Sequence, residues 1–235
     1  MNTQVTTVNV PLNPSRRNAL MIMGAAALGG CASQAVSPAE PEALVSSAQT
    51  TLSNFVRDPA QTWIQENLNR ARGVLIAPQL VRAGFIFGGS GGRGVLCARD
   101  GSGWAGPAFY NLATVSVGFQ AGIDVSEAII VVMTDRGLNS LLSSSFKMGG
   151  DASVAAGPVG AGARSTVTAD LITFTRARGV FGGLNLDGTV VSTNIPWNDA
   201  FYGASNVLPP DILIRRTYKS PKGDALLRDI AAAAK

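Results

Sequence analysis

The residues in this chain that could support catalysis are few, because it contains no histidine. A serine hydrolase triad, a histidine metal site and a histidine general base are therefore excluded. Gly89–Gly94 fits the dinucleotide pattern G-x-G-x-x-G, but the following Val95–Cys97 predicts a strand where that motif requires a helix. Ser144–Lys147 fits S-x-x-K without the partner motifs S-D-N and K-T-G. We predict no catalytic residue, no metal ligand and no cofactor.

Cys31 has the clearest chemical role in the sequence. It follows Arg16 and Arg17 and an apolar run, Ala19–Leu28, in the charged, apolar, small order of an export signal. The run has about half of the ~20 residues that a membrane-spanning helix needs. Leu28-Gly29-Gly30-Cys31 resembles the lipobox of bacterial lipoproteins, in which the cysteine thiol receives a diacylglycerol and becomes the mature N-terminus. We therefore expect acylation of Cys31.

Alternatives remain open at this end of the chain. Ser15-Arg16-Arg17 resembles a twin-arginine signal, although Ala19 stands where that pattern prefers an aromatic residue or leucine. A plain cleaved signal with a chance cysteine also fits. Because Ala32 and not aspartate follows Cys31, the lipoprotein resemblance implies the outer membrane, facing the periplasm. The predicted organisation is a signal over residues 1–30, a tether over 31–41 and one folded domain over 42–235.

The charge balance argues against a nucleic-acid partner. The chain has 19 basic and 15 acidic side chains, two of the basic ones lie in the signal, and no run of lysines or arginines occurs. Charged residues make up only 14% of the chain, and 27 residues are glycine. With Cys31 acylated, Cys97 is the one remaining thiol and we expect it in the core.

Hydrophobic periodicity predicts helices at both ends of the chain and short strands between them. Because strands and helices do not alternate, we predict an α+β fold with antiparallel sheets or a barrel-like β core, and N-terminal, central and C-terminal helices packed outside. Two predicted helices start at Ser37-Pro38 and Asp58-Pro59. A central helix carries Leu138, Leu141, Leu142 and Phe146 on one face and ends before Gly149. Two further helices cover Trp197–Ala204 and Asp224–Ala234. The predicted strands include Val74–Ile76, Phe85–Phe87, Val95–Cys97, Val115–Phe119, Ala128–Met133, Thr166–Thr175, Gly179–Leu186 and Thr189–Ser192, with hairpin turns at Asp100-Gly101 and Asp187-Gly188.

Several short blocks in this domain form a recognisable series through their order and spacing. They are Ala71–Pro78, Gly88–Leu96, Trp104–Phe109, Gly118–Gly122, Met148–Gly160, Arg178–Gly188, Asn198 and Phe201–Gly203. Together these blocks resemble the SYLF-domain family. The resemblance implies a lipid-binding domain without enzymatic activity; family members bind membrane lipids, particularly phosphoinositides in eukaryotes, and a fungal member binds actin. For a bacterial chain the nearest equivalent ligand is an anionic phospholipid.

The basic residues in or beside these blocks are the candidate head-group ligands. Glycine-rich strands also leave backbone amides available to an anion. Two functions stay open: a lipid-binding module on an acyl anchor, or a structural or protein-interaction element whose acyl group makes all membrane contact. The helix Leu44–Val56 either inserts at a membrane interface or packs on the sheet, and its few basic residues favour packing. The candidates are Arg72, Arg93, Arg99, Arg136, Lys147, Arg164, Arg176 and Arg178.

Overall fold

The computed structural model describes residues 36–84, 87–117, 122–158, 160, 168–177 and 186–235. Its helices are α1 (Ala39–Arg57), α2 (Thr62–Asn67), α3 (Asp135–Leu142), α4 (Ile195–Tyr202), α5 (Pro209–Leu213) and α6 (Asp224–Ala233), with 3-10 turns at Leu68–Arg70 and Pro221–Gly223. Its strands are β1 (Gly73–Gly84), β2 (Phe87–Asp100), β3 (Gly103–Val117), β4 (Gly122–Val132), β5 (Ser145–Lys147), β6 (Val154–Ala156), β7 (Leu171–Ala177) and β8 (Val190–Thr193).

All eight of these strands form one sheet, curled into a half-barrel, in the order β5-β8-β3-β2-β1-β4-β7-β6. Every neighbouring pair is antiparallel except β6 and β7, which are parallel. The predicted α+β class with an antiparallel sheet is therefore confirmed, and the single parallel pair was not foreseen.

Both faces of the sheet are buried, because successive side chains of each strand point to opposite sides. On β1, Val74 and Ile76 pack under α1, α2 and α6, whereas Leu75 and Ala77 pack on the other side against α3 and α5. The α1 side also buries Phe55, Trp63, Cys97, Phe109, Phe174, Trp197 and Leu226, and the α3 side buries Leu96, Tyr110, Ile130, Leu141, Phe146, Val191 and Leu213.

A bulge in β1 explains why β2 is rich in glycine. The register shifts at Pro78 and Gln79 against both neighbouring strands. The bulged backbone approaches β2 so closely that a Cβ atom on Gly92 would lie 2.2 Å from the Gln79 carbonyl oxygen. Gly92 lies within the G-x-G-x-x-G pattern, which here runs through the middle of a strand with no helix after it. The predicted strand at Val95–Cys97 is confirmed, and the pattern itself lies within the same strand, which the sequence analysis did not predict.

Helix α1 packs on the sheet and does not project from it. Its buried stripe includes Ala48, Leu52 and Phe55, and its polar side chains bind the C-terminal region. Gln49 Nε2 donates to Asp229 on α6 over 2.6 Å, and Lys222 forms an ion pair with Glu42. The helix starts at Ala39, so residues 39–41, which the sequence assigned to the tether, are helical. Among the described helices we find none with the length and apolarity to cross a bilayer.

Several predicted elements were wrong in extent, among them the central helix and one strand. The central helix stops at Leu142, and Phe146 lies in strand β5. Ser143 takes an extended conformation and its hydroxyl donates to the Ser140 carbonyl over 2.6 Å, which is how serine competes with helix continuation. The strand predicted over Thr166–Thr175 is β7, which begins only at Leu171. Helix α6 matches the predicted terminal helix within one residue.

Candidate functional site

Arg136 is bound to a buried carboxylate. It lies on α3 and donates to Asp170, which precedes β7, from Nε over 3.0 Å and from its terminal nitrogen. Thr134 donates its hydroxyl to the same carboxylate over 2.6 Å, and Ser153 donates both its backbone N–H (2.9 Å) and its hydroxyl (2.6 Å). The Arg136 guanidinium, followed by the hydroxyl donors, lowers the pKa of Asp170 far below its ordinary value. Arg136 therefore has its charge largely neutralised.

Arg176 is also paired, on the α1 side of the sheet. It stands opposite Glu127 in the β4–β7 register, and its Nε and Nη2 atoms donate to one Glu127 oxygen over 3.1 and 2.6 Å. The other Glu127 oxygen accepts from the Thr51 hydroxyl of α1 over 3.2 Å. The guanidinium carbon lies 5.6 Å from the Phe55 ring centroid. Both charged side chains are about one quarter exposed, so the pair is partly accessible.

Arg72 and Arg99 meet at the end of the sheet where β1 begins and β2 ends. The Arg99 backbone N–H donates to the Arg72 carbonyl over 2.8 Å, and Arg99 Nη1 donates to the Asn69 carbonyl over 2.5 Å. Arg72 forms an exposed ion pair with Asp135 at the start of α3. This pairing brings Arg72 and Arg99 to the same end of the sheet as Arg136.

Two other described candidates, Arg93 and Lys147, do not join that group. Arg93 lies with its guanidinium carbon 4.6 Å from the Trp197 ring, in a cation–π contact. Lys147 is exposed on β5, at the opposite edge of the sheet from Arg176. Cys31, Arg164 and Arg178 lie outside the described residues, so their predicted roles stay predictions.

One basic surface emerges, which we call the basic end. It consists of Arg70, Arg72, Arg99 and Arg136, and it contains Asp135 and Asp170 as the paired carboxylates. The nearby Asp100 forms an ion pair with Arg216 and adds no net charge. Four arginines against two carboxylates leave a net charge of +2. The sequence analysis missed Arg70, although its place two residues before Arg72 was a usable signal.

A polar groove of about 770 Å³ runs between α1 and the bulged part of the sheet. Glu127 and Arg176 line it from the sheet, and Ser47, Thr50 and Asp58 line it from α1 and the residue that follows. The sequence analysis proposed neither of the two acidic lining residues, Asp58 and Glu127, as a site residue. A carboxylate at the start of the β-branched run Ala128–Met133 was the signal that could have drawn attention to Glu127.

Two of the short blocks that carry the family resemblance have structural roles. Asn198 is fully buried, accepts from the Phe109 N–H over 2.8 Å and donates to the Val207 carbonyl over 3.1 Å. The Tyr202 hydroxyl donates to the Pro107 carbonyl over 2.8 Å, and Gly203 ends α4 with a φ of 65°. These contacts fasten α4 to β3, so the blocks around them account for folding and not for ligand binding.

The described residues contain no group of three or more cysteine and acidic side chains placed to hold a metal ion. Cys97 is fully buried on the α1 side of the sheet, and burial strongly raises the pKa of its thiol.

Comparison with known proteins gives a consistent result. Residues 113–233 match the family model described as Ysc84, Las17-binding protein actin regulator. The chain is 30% identical over 176 residues to Protein YSC84 of Saccharomyces cerevisiae, covering 71% of this chain and 37% of the yeast protein. It is 30% identical over 164 residues to the human SH3 domain-containing YSC84-like protein 1, and 28% over 163 residues to the Xenopus laevis protein of that name, covering 67% of this chain in both cases. The chain spans 47% and 48% of the length of those two vertebrate relatives.

Proposed function

The chain belongs to the Ysc84 family, which is the SYLF-domain family, and we propose that it is a non-enzymatic lipid-binding domain held in a bacterial envelope by an acylated Cys31. The family description names Las17 binding and actin regulation, which are properties of the proteins that it describes. The proposal concerns the ligand that this chain recognises and the surface on which it acts. The predicted location is the outer membrane, facing the periplasm.

The short stretch of sequence between Cys31 and helix α1 supports action at a membrane. Helix α1 begins at Ala39, eight residues after Cys31. Eight residues reach about 28 Å at full extension, so an acyl group on Cys31 would keep the start of α1 within that distance of the bilayer. Two acyl chains hold a protein stably on a membrane, because each buried methylene contributes about 0.8 kcal/mol.

The basic end is the observation that carries the head-group proposal. Its net charge of +2 attracts an anionic phospholipid, and the attraction adds to that of the anchor. Arg70 and Arg99 contribute most, because neither forms an ion pair with a carboxylate among the described residues, whereas Arg72 and Arg136 do.

Vesicle co-sedimentation tests this proposal. A chain that begins at residue 32 lacks the anchor and keeps every described element, because residues 36–235 form one compact unit. We expect it to bind vesicles of phosphatidylcholine mixed with phosphatidylglycerol at low salt, to bind less as salt screens the charges, and to bind weakly to phosphatidylcholine alone. The double variant Arg70→Gln, Arg99→Gln should lose this preference, and Lys147→Gln, exposed on the edge strand β5, should keep it. No enrichment on any lipid would overturn the proposal.

Mass spectrometry of the protein recovered from membranes tests the anchor. A diacyl group on Cys31 and a chain starting at that residue are expected. An unmodified Cys31 in the mature protein would contradict the lipoprotein assignment.

A second function is a structural or protein-interaction element of the envelope. The ion pairs of Arg72, Arg136 and Arg176 favour it, because they leave less charge for a lipid. Cross-linking in cells discriminates: capture of a defined protein partner supports it, and capture of lipid alone counts against it.

A further inference from the structure

The polar groove beside α1 is separate from the basic end. It reaches the sheet at the β1 bulge, where Gln79 lies seven residues beyond Arg72. Seven strand residues correspond to about 20 Å. A volume of about 770 Å³ is within the range of small-molecule sites, which run from about 300 to 1,000 Å³. The groove could therefore hold a ligand of its own.

The α1 side of the groove offers hydrogen-bond acceptors. The Ser47 hydroxyl donates its proton to the Ala43 carbonyl over 2.9 Å, and the Thr50 hydroxyl donates to the Ser46 carbonyl over 3.2 Å. Both hydroxyls then have only lone pairs for a ligand. Asp58 uses one carboxylate oxygen to accept from the Ala60 N–H over 2.8 Å, and it adds a negative charge. This wall favours a ligand that donates hydrogen bonds and carries a positive charge.

The sheet side of the groove offers donors at one point. Arg176 binds Glu127 through Nε and Nη2, and its Nη1 has no hydrogen-bond partner among the described residues. Because the Arg176 side chain is about one quarter exposed and lines the groove, Nη1 can donate to an acidic group of a ligand. Charge-assisted hydrogen bonds of this kind are the strong ones.

The charges of the groove select against simple ions. One arginine and two carboxylates line it, so an anion that approaches Arg176 meets Glu127 and Asp58, and a cation meets the guanidinium. A zwitterion satisfies both signs, with its acidic group at Arg176 and its ammonium at Asp58.

We propose that this groove binds an aminoethyl phosphodiester, as in glycerophosphoethanolamine or the head group of phosphatidylethanolamine. The phosphodiester accepts from Arg176 Nη1, which lies beside Phe55, and the primary ammonium donates to Asp58, one helical turn further along. The preference for a phosphodiester over a carboxylate rests on the proposed lipid-binding function. The two sources of this chemical group are the free diester and the lipid, and the experiment separates them.

Titration with soluble diesters is the first arm. The chain that begins at residue 32 is titrated with glycerophosphoethanolamine, with glycerophosphocholine, and with glycerol 3-phosphate, and binding is followed by calorimetry. Glycerophosphocholine has the same charges but no N–H donor, so we expect it to bind about tenfold more weakly than the ethanolamine diester. Equal affinity for these two diesters would overturn the proposal.

Variants locate the binding. Asp58→Asn keeps the acceptor for the Ala60 N–H but removes the charge, and Arg176→Lys keeps the charge but loses the planar donor geometry. Each should weaken glycerophosphoethanolamine binding about tenfold. Asp224→Asn, which removes an exposed carboxylate at the start of α6 and away from the residues that line the groove, is the matched control and should bind as the unmodified chain does. Thermal melting shows that each variant is folded, and unchanged binding in both groove variants would overturn the proposal.

Vesicles form the second arm. Stronger binding to phosphatidylcholine vesicles after addition of phosphatidylethanolamine, lost in Arg176→Lys, supports the lipid head group as the source. Binding of the soluble diester without any effect of phosphatidylethanolamine supports the free diester. The phosphatidylglycerol result reports separately on the basic end, so failure of the groove proposal and failure of the proposed function are distinguishable.

Discussion

At the scale of single residues, Asp170 shows how this chain uses its few charges. The carboxylate is almost fully buried and joins three segments: the end of β4 through Thr134, helix α3 through Arg136, and the segment before β6 through Ser153. A buried carboxylate is tolerated only when its hydrogen bonds are satisfied, and here donors from all three segments satisfy it. Arg136 therefore acts mainly in folding.

Asp170→Asn should lower the free energy of unfolding by about 2 kcal/mol at neutral pH, because charged hydrogen bonds are replaced by weaker or mismatched ones. Urea denaturation measures this change. Asp135→Asn, at an exposed ion pair, should change it much less. Equal effects of the two variants would contradict the structural role of Asp170.

The same residue predicts a pH dependence. The pKa of Asp170 is lowered in the folded state, so ionisation of this group stabilises the fold above about pH 4, the value of an unfolded aspartate. That contribution is lost as the pH falls from about 4 through the folded-state pKa. The difference in unfolding free energy between the unmodified chain and Asp170→Asn should therefore shrink as the pH falls from about 5 to about 2. A difference independent of pH would be the contrary result.

Gly91 and Gly92 provide a matched pair of positions within β2. A Cβ at Gly92 would lie 2.2 Å from the Gln79 carbonyl oxygen, whereas one at Gly91 would meet nothing closer than 3.7 Å. Gly92→Ala should destabilise the protein by about 1–3 kcal/mol through overpacking. Gly91→Ala should be neutral or slightly stabilising, because alanine loses less conformational freedom in a strand. Thermal melting of the two variants compares them, and similar melting temperatures would show that the bulge does not require glycine.

At the scale of elements, α1 connects the N-terminal end of the domain to its core. The helix has few basic residues, and its apolar stripe faces the sheet. Its polar contacts with Asp229 and Lys222 hold it against the C-terminal region. The same helix forms one wall of the polar groove, so its docking on the sheet is a condition for that groove to exist.

Leu52→Ala distinguishes packing from membrane insertion. Leu52 is 2% exposed under α1, so its truncation should lower the free energy of unfolding by about 2–5 kcal/mol. Binding of the folded variant to phosphatidylglycerol vesicles should stay unchanged. Loss of vesicle binding with unchanged stability in solution would instead indicate that this face of α1 inserts into lipid.

At the scale of the whole molecule, one sheet with two buried faces makes the described domain a single cooperative body. Cys97 lies at 0% exposure between the sheet and the α1 layer, and burial raises the pKa of its thiol. A thiol reagent reaches such a group only when the layers separate, and it reacts with the thiolate.

Labelling of Cys97 by a thiol reagent should therefore proceed at the rate of global unfolding. The chain that begins at residue 32 contains no other cysteine, so the measured rate belongs to Cys97. Labelling should accelerate in urea in parallel with the unfolding rate measured by circular dichroism. Rapid labelling in native buffer would show that the α1 layer opens locally.

The α+β class, the terminal helix and the strand at Val95–Cys97 followed from the sequence, because they depend on local periodicity and turn residues, whereas the continuation of that strand through the glycine-rich block was not predicted. The likeness to the SYLF-domain family also followed from the order of short blocks. The acylation of Cys31 was predicted from sequence and remains a prediction. The local pattern did not predict where α3 ends, because side-chain hydrogen bonds in the serine run after Leu142 end the helix early.

Only the tertiary structure decided which cations are available to a ligand. Arg72, Arg136 and Arg176 meet their carboxylate partners across 63, 34 and 49 residues of sequence. Such pairings follow from strand register and helix docking, which no local pattern encodes. The β1 bulge and the groove beside α1 have the same origin, since both arise where distant segments pack together.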